Sequence, residues 1–325
     1  KKIIDALFEL EGAYSLGALT NKKLIGVRDP LGIRPLVLGD LNGAQIIASE
    51  TCALDIIGAK FIRDIDNGEI LVIDKKGIKS YKPFKKMKIR PCIFEYIYFA
   101  RPDSIMGGKN VYECRKEMGR QLSKEIPTDA EIVIPVPDSG VPAALGFSEA
   151  SNIPFNLGII RNHYIGRTFI EPTQTIRQLG IKLKHNANKN IIKGKKIVLI
   201  DDSIVRGTTA IKIVQMMRDA GAKEVHMRIS SPPIKFPDYY GIDTPSVNEL
   251  IAANKSIKEI QKLLKLDSLH FLSLEGLYRS MGYKNRNKDC PQYTDHCFTG
   301  DYPTRLIDRD VGSLSNQLSL LNEKN

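Results

Sequence analysis

The chain has 325 residues, 42% hydrophobic and 26% charged; the length suits two domains with cores of their own, and the composition excludes disordered and fibrous classes. No apolar run reaches the length of a membrane span, about 18 residues, nothing at the start reads as a signal peptide, and five Cys without framework spacing point to reduced thiols in a cytoplasm. The net charge of +11 suits acidic metabolites, whereas scattered lysines, a modest cluster over 182–196, no zinc-finger spacing and no aromatic platform beside a basic run argue against nucleic acid as a partner.

In chain order, Ile3, Ile4, Leu7, Phe8 and Leu10 share one face of an opening helix over 1–10, and the absence of an initiating Met reads as a start inside a longer domain. From Glu11 to about Ser80 the pattern is β-rich, with strands over 13–19, 23–27, 36–38, 46–48 and 69–73. Asp29-Pro30, Leu41-Asn42-Gly43 and Asp66-Asn67-Gly68 mark the turns between them. A basic stretch follows, and the join falls near Lys85 to Cys92. From about Asp129 strands alternate with helices: a strand over 131–135, a helix from Val141, strands over 153–159 and 197–200, a helix over 211–217, and a strand over 224–229. That alternation predicts a parallel-sheet α/β domain.

The chemistry concentrates in Lys196-Ile197-Val198-Leu199-Ile200-Asp201-Asp202-Ser203-Ile204-Val205-Arg206-Gly207-Thr208-Thr209. A buried strand ends in two carboxylates, at the edge where open α/β sheets bind ligands. The small-residue loop after them opens a helix, whose first N–H groups lack intrahelical partners and favour anions. Thr208 and Thr209 add donors, and Gly207 admits close approach of backbone to phosphate. Capping the next helix needs one acid, not two, and leaves Arg206 to Thr209 without a role. The order resembles the phosphoribosyl pyrophosphate (PRPP) motif of type I phosphoribosyltransferases. In that family the paired acids, here Asp201 and Asp202, contact the ribose hydroxyls and metal-bound PRPP, and the loop binds the 5′-phosphate.

Pro135-Val136-Pro137-Asp138-Ser139-Gly140 lies one βαβ unit upstream, and its turn amides can hold a second anionic group or simply connect strand to helix. It resembles the diphosphate loop of amidophosphoribosyltransferases, which places the Ser139 hydroxyl near magnesium. The stretch from Arg161 has a poor apolar period and reads as a long loop, a common form of lid. Its Tyr164 to Gln174 segment resembles that family's closing loop, in which Arg167 and Lys182 or Lys184 meet phosphate oxygens.

Glu11 to Leu16, Arg28 to Leu36 and Ser49 to Leu54 resemble the second half of an N-terminal-nucleophile glutaminase domain. With that resemblance the chain is identified as a member of the amidophosphoribosyltransferase family, similar from the first helix to Thr304. It implies residues 1–88 as the C-terminal half of an α+β glutaminase domain and residues 89–325 as a phosphoribosyltransferase domain with an extension. The glutaminase nucleophile would then precede this sequence, and Cys52 is packing rather than its substitute. The resemblance implies Mg2+ held near Ser139, Asp201 and Asp202; PRPP, glutamine-derived ammonia and inhibitory purine nucleotides as ligands; and a homo-oligomer. Several family members hold an iron–sulfur cluster on four Cys. The matching positions here are Cys92, Asp238, Thr294 and Cys297, so a cluster is not expected and Asp238 should make polar contacts within its own turn. A nucleobase-salvage transferase and a PRPP-binding transcription regulator stand as alternatives.

Overall fold

A computed structural model describes residues 2–162, 185–242, 244 and 246–306. The first region stacks two antiparallel sheets. One has the order β1 (Ser15–Leu19), β2 (Leu24–Arg28), β6 (Ile70–Asp74), β7 (Gly77–Tyr81); the other sets β3 (Val37–Leu41) between β4 (Ala44–Ala48) and β5 (Lys60–Asp64). Successive strand residues point to opposite faces, so neighbours in sequence serve different cores. Leu36, Leu38, Ile65 and Leu71 fill the space between the sheets. Ile25, Val27 and Ile70 pack outward against Leu7 of α1 (Lys2–Leu7), and Val37 packs against Leu54 of α2 (Thr51–Ile57). The result is a helix–sheet–sheet–helix stack.

The opening helix is shorter than its periodicity predicts. Only Ile4 and Leu7 meet the sheet, while Ile3, Phe8 and Leu10 are exposed. Beyond Leu7 the apolar period has no surface to pack on, and the Phe8 ring meets Phe84 edge-on at 5.3 Å instead.

The second region holds a parallel sheet in the order β10 (Ile132–Pro135), β13 (Lys196–Asp201), β14 (Glu224–Ile229), β15 (Ser268–Phe271). β10 and β13 are apolar on both faces, as burial between two helical layers requires, whereas β14 and β15 carry Glu224, His226, Arg228, Ser268 and His270 on one face. Val133, Val198 and Ile200 face Met118 and Leu122 of α3 (Val111–Glu125) and Phe147 of α4 (Val141–Ser151). Ile132, Ile197, Leu199 and Met227 face Ile213 and Met217 of the Thr208–Asp219 helix. Glycines set the α3–α4 approach: a Cβ at Gly119 would lie 1.8 Å from the Ala143 carbonyl oxygen, and one at Gly146 1.8 Å from that of Lys116.

The strand expected over 153–159 is not one strand. Phe155 makes a single bridge to Val133, and only β11 (Ile159–Arg161) is regular, pairing antiparallel with β12 (His185–Ala187). Residues 82–91 carry no helix or strand. There the regions join: Leu31 and Ile33 enter the core of the second region, and the amides of Arg90 and Cys92 donate to their carbonyls at 2.7 and 3.0 Å. Among the described residues no helix is long and apolar enough to cross a membrane.

Candidate functional site

The acid pair sits where β13 runs out. Asp201 and Asp202 are both buried. The backbone N–H of Asp202 donates to Asp201 Oδ1 at 2.9 Å, and the Ser203 hydroxyl donates to Asp202 Oδ1 at 2.6 Å. Ser139 reaches Asp202 from the neighbouring loop and also hydrogen-bonds its carboxylate. Burial, reinforced by the charge of Asp202, pushes the Asp201 carboxyl well above the aspartate range. Burial raises Asp202 too, against the hydrogen bonds of Ser139 and Ser203 and the positive charge of Arg115. Two adjacent carboxylates in a low-dielectric site are short of positive charge.

The loop after them has the shape its residues imply. Gly207 adopts φ +79°, a left-handed conformation, and caps the Thr208–Asp219 helix. A Cβ there would meet Ile251 Cδ1 at 2.9 Å, so glycine is required by both backbone and packing. Thr208 and Thr209 lie exposed on the helix's first turn, beside N–H groups that lack intrahelical acceptors. Arg206 points away to an exposed ion pair with Glu249, its Nε 3.0 Å from Oε1.

In the upstream loop the Val136 amide donates to the Ile200 carbonyl at 2.9 Å, which ties the loop to β13 beside the acids. Gly140 is buried, and a Cβ there would come within 2.4 Å of the Ile200 oxygen. Its glycine thus serves loop–strand packing, a role the sequence pattern does not disclose. The Pro137–Asp138 peptide is cis. Asp138 is exposed and pairs with Arg161. The structure therefore gathers Ser139, Asp201, Asp202 and Ser203, sets Gly207, Thr208 and Thr209 on the adjoining turn, and directs Asp138 and Arg206 to salt bridges. Arg167, Lys182, Lys184 and His163 lie outside the described residues. Arg115, buried on α3 and acting on Asp202 through its charge, was not legible as a site residue.

Among the described residues no three His, Cys, Asp or Glu side chains form a metal-holding group. Two carboxylates and nearby hydroxyls nevertheless fit a Mg2+ ion, which keeps waters and takes substrate phosphate oxygens as its remaining ligands. Cys92, Asp238, Thr294 and Cys297 do converge: Cys92 bridges Thr294, and the Cys297 carbonyl accepts from Lys235 and Phe236. Their chemistry does not fit an iron–sulfur cluster. Only two of the four positions carry a thiol, Thr294 Oγ1 donates to the Arg90 carbonyl at 2.6 Å, and clusters need thiolates. Asp238 is occupied within its own turn, accepting from the amides of Tyr240 and Ile242 at 2.8 and 2.9 Å and lying 2.9 Å from His296 Nε2. Cys52, Cys92 and Cys297 are buried, and His270 is exposed.

Residues 108–230 match the phosphoribosyl transferase domain model. The chain is 58% identical over 326 residues to amidophosphoribosyltransferase of Rhizobium etli, covering 98% of this chain and 66% of that protein. It is 52% identical over 305 residues to the chloroplastic amidophosphoribosyltransferase 1 of Arabidopsis thaliana, covering 94% and 53%. The solved structure of glutamine PRPP amidotransferase from Bacillus subtilis, complexed with ADP and GMP, superposes with a TM-score of 0.87 at 46% identity, over 94% of this chain and 67% of that one. The chain thus spans about half to two thirds of the length of the curated relatives it matches.

Proposed function

The chain belongs to the amidophosphoribosyltransferase family, and on that premise we propose that it forms 5-phosphoribosylamine and diphosphate from PRPP and ammonia, the ammonia derived from glutamine. The observation that carries the reading is the buried, charge-starved pair Asp201 and Asp202 beside an open helix N-terminus. Asp201 and Asp202 orient the ribose hydroxyls and, with Ser139, hold Mg2+. That ion, when bound, neutralises the diphosphate leaving group. The amides and hydroxyls of Ser203 to Thr209 receive the 5′-phosphate, since a helix start combines free donors with a favourable dipole. Positive charge develops at C1 as its bond to diphosphate breaks, and ammonia supplies the new C1–N bond. Positioning and electrostatics carry such a reaction without a protein nucleophile.

In this reading residues 1–88 belong to the glutaminase part and residues 89–325 to the transferase part. Arg167, Lys182 and Lys184 close over the phosphates and exclude water. Purine nucleotides compete at the same phosphate positions, a proposal supported by the ADP and GMP of the Bacillus subtilis complex. The enzyme works as a cytoplasmic homo-oligomer. The salvage-transferase and regulator readings are not favoured, because the relatives share similarity across both regions. The test is diphosphate release from PRPP, ammonium and Mg2+. Release that requires all three is expected, and PRPP left intact under saturating ammonia overturns the reading.

A further inference from the structure

We propose that Arg34, Glu95 and Arg115 form a joint through which the antiparallel region sets the placement of the acid pair, making Arg34 a positioning residue for the reaction. The proposal rests on reading that pair as the PRPP site. Arg34 comes from the loop between β2 and β3, in the first region, yet its side chain is only 11% exposed because it is inserted into the second. There its NH1 lies 2.5 Å from Glu95 Oε1, its Nε donates to the Tyr240 carbonyl at 2.7 Å, and its guanidinium covers the Phe99 ring at 5.3 Å.

Glu95 opens the Glu95–Phe99 π-helical turn, and Arg115 binds the backbone of the same turn. Its Nε donates to the Tyr96 carbonyl at 2.9 Å, and its NH2 donates to those of Ala100 and Glu95 at 2.7 and 3.4 Å. Each of these acceptors is neutral, so the buried cation keeps an unspent charge, and Asp202 is the acid that acts on it most. In a low-dielectric interior such a charge is felt well beyond hydrogen-bond range.

A second, purely steric route runs the same way. Gly119, one turn along α3 from Arg115, lies against the Ala143 carbonyl, which locks α3 to α4. The loop into α4 supplies Ser139 to Asp202 and seats Gly140 on the Ile200 carbonyl. Close-packed elements of this kind move as one body rather than deform. A displacement at Arg34 therefore has two paths to Asp202.

The experiment compares Arg34→Met, Arg34→Lys and Glu95→Gln in the full chain, by ammonia-dependent turnover and by hydrogen exchange. For Arg34→Met the expected result is a kcat lowered about tenfold with the KM for PRPP within about twofold. Amides of 201–209 should exchange faster, and Arg34→Lys should recover part of both. A joint that is merely structural would lower the melting temperature and speed exchange at 95–100 while leaving kcat and the 201–209 amides unchanged; that outcome overturns the proposal. Should Arg34→Met not fold, Glu95→Gln, which keeps the side chain's shape, decides by the same readouts. A wild-type chain without turnover removes the functional reading, and the exchange pattern still decides the joint.

Discussion

The buried carboxylates of the antiparallel region and those of the acid-pair loop are treated in opposite ways. In the antiparallel region Asp29 accepts from the amides of Leu31, Ile33 and Arg34 at 3.0, 3.1 and 3.3 Å, and Arg28 beside it donates to the carbonyls of Gly32, Arg34 and Ile65. Glu69, fully buried, takes both forks of Arg63 at 2.7 and 2.8 Å and the Asp66 amide at 2.8 Å. Both acids have their hydrogen-bond acceptors used by near neighbours, which hold Glu69 below the usual range, while burial still keeps Asp29 above it. In the parallel region Asp201 accepts one backbone amide and sits beside a second acid. Buried acids with complete partner sets hold loops in shape, whereas buried acids left short of positive charge await a ligand. The Arg28-Asp29-Pro30 motif, part of the family resemblance, is therefore a structural device that shapes the Arg34 loop.

The largest effect that sharpens this contrast is on turnover. Asp201→Asn and Asp202→Asn should each lower PRPP turnover by about 10²–10³-fold, the scale of removing a principal electrostatic contact in a transition state. Circular dichroism should stay native. Near-normal turnover at saturating Mg2+ would place the ligand elsewhere. Asp29→Ala should do the reverse, acting on stability first. It strips three amides of their acceptor, so a loss of about 3 kcal/mol is expected in urea unfolding. A loss under about 1 kcal/mol would mean that water replaces the carboxylate.

Glu69 gives the contrast a pH signature. Burial opposes its charge, but the hydrogen bonds of Arg63, Ser80 and the Asp66 amide overcome that and bring it down to about 2. A lowered acid adds stability above its unfolded-state value and loses it as pH falls. The window runs from the ordinary glutamate range near 4.5 down to about 2. Arg63 is part-exposed, and solvent screening reduces the contribution to about 2 kcal/mol. Glu69→Gln should flatten that limb of the stability–pH curve, and a parallel curve would contradict the assignment.

The sequence discloses the acid-pair loop more fully than the rest of the molecule, for physical reasons. The stretch Lys196 to Thr209 combines a buried strand, ligand-facing acids and a helix start, each with its own residue signature. The observed strand and helix extend one to three residues past the expected ends. α3 went unpredicted although Val111, Met118 and Leu122 recur on one face and Asn110 caps the amide of Glu113. The packing that makes it indispensable, Gly119 against Ala143, is tertiary. β5 and β7 are largely exposed and show no clean alternation, and β15 has only four residues. The Arg34–Glu95 pair joins positions 61 residues apart, and no local pattern encodes such a contact.

The smallest predicted effect is the most direct break-point for the comparison. A carboxyl whose folded-state pKa lies above its unfolded value costs stability as pH rises through that interval, and the cost is complete only above the folded-state value. Asp201 is in that position, because burial and the charge of Asp202 both raise it. Asp201→Asn keeps an oxygen able to accept the Asp202 amide and removes the charge. At neutral pH, without Mg2+ or PRPP, it should therefore be more stable than the parent chain by about 1 kcal/mol, the gain common when a function-bearing strained site is relaxed. The advantage should shrink as pH falls toward the ordinary aspartate range, where both forms are neutral. Adding Mg2+ and PRPP should raise the parent's melting temperature by mass action and leave the variant's almost unmoved. An Asn variant less stable than the parent under ligand-free neutral conditions would show that Asp201 is completed by the protein after all, as Glu69 is.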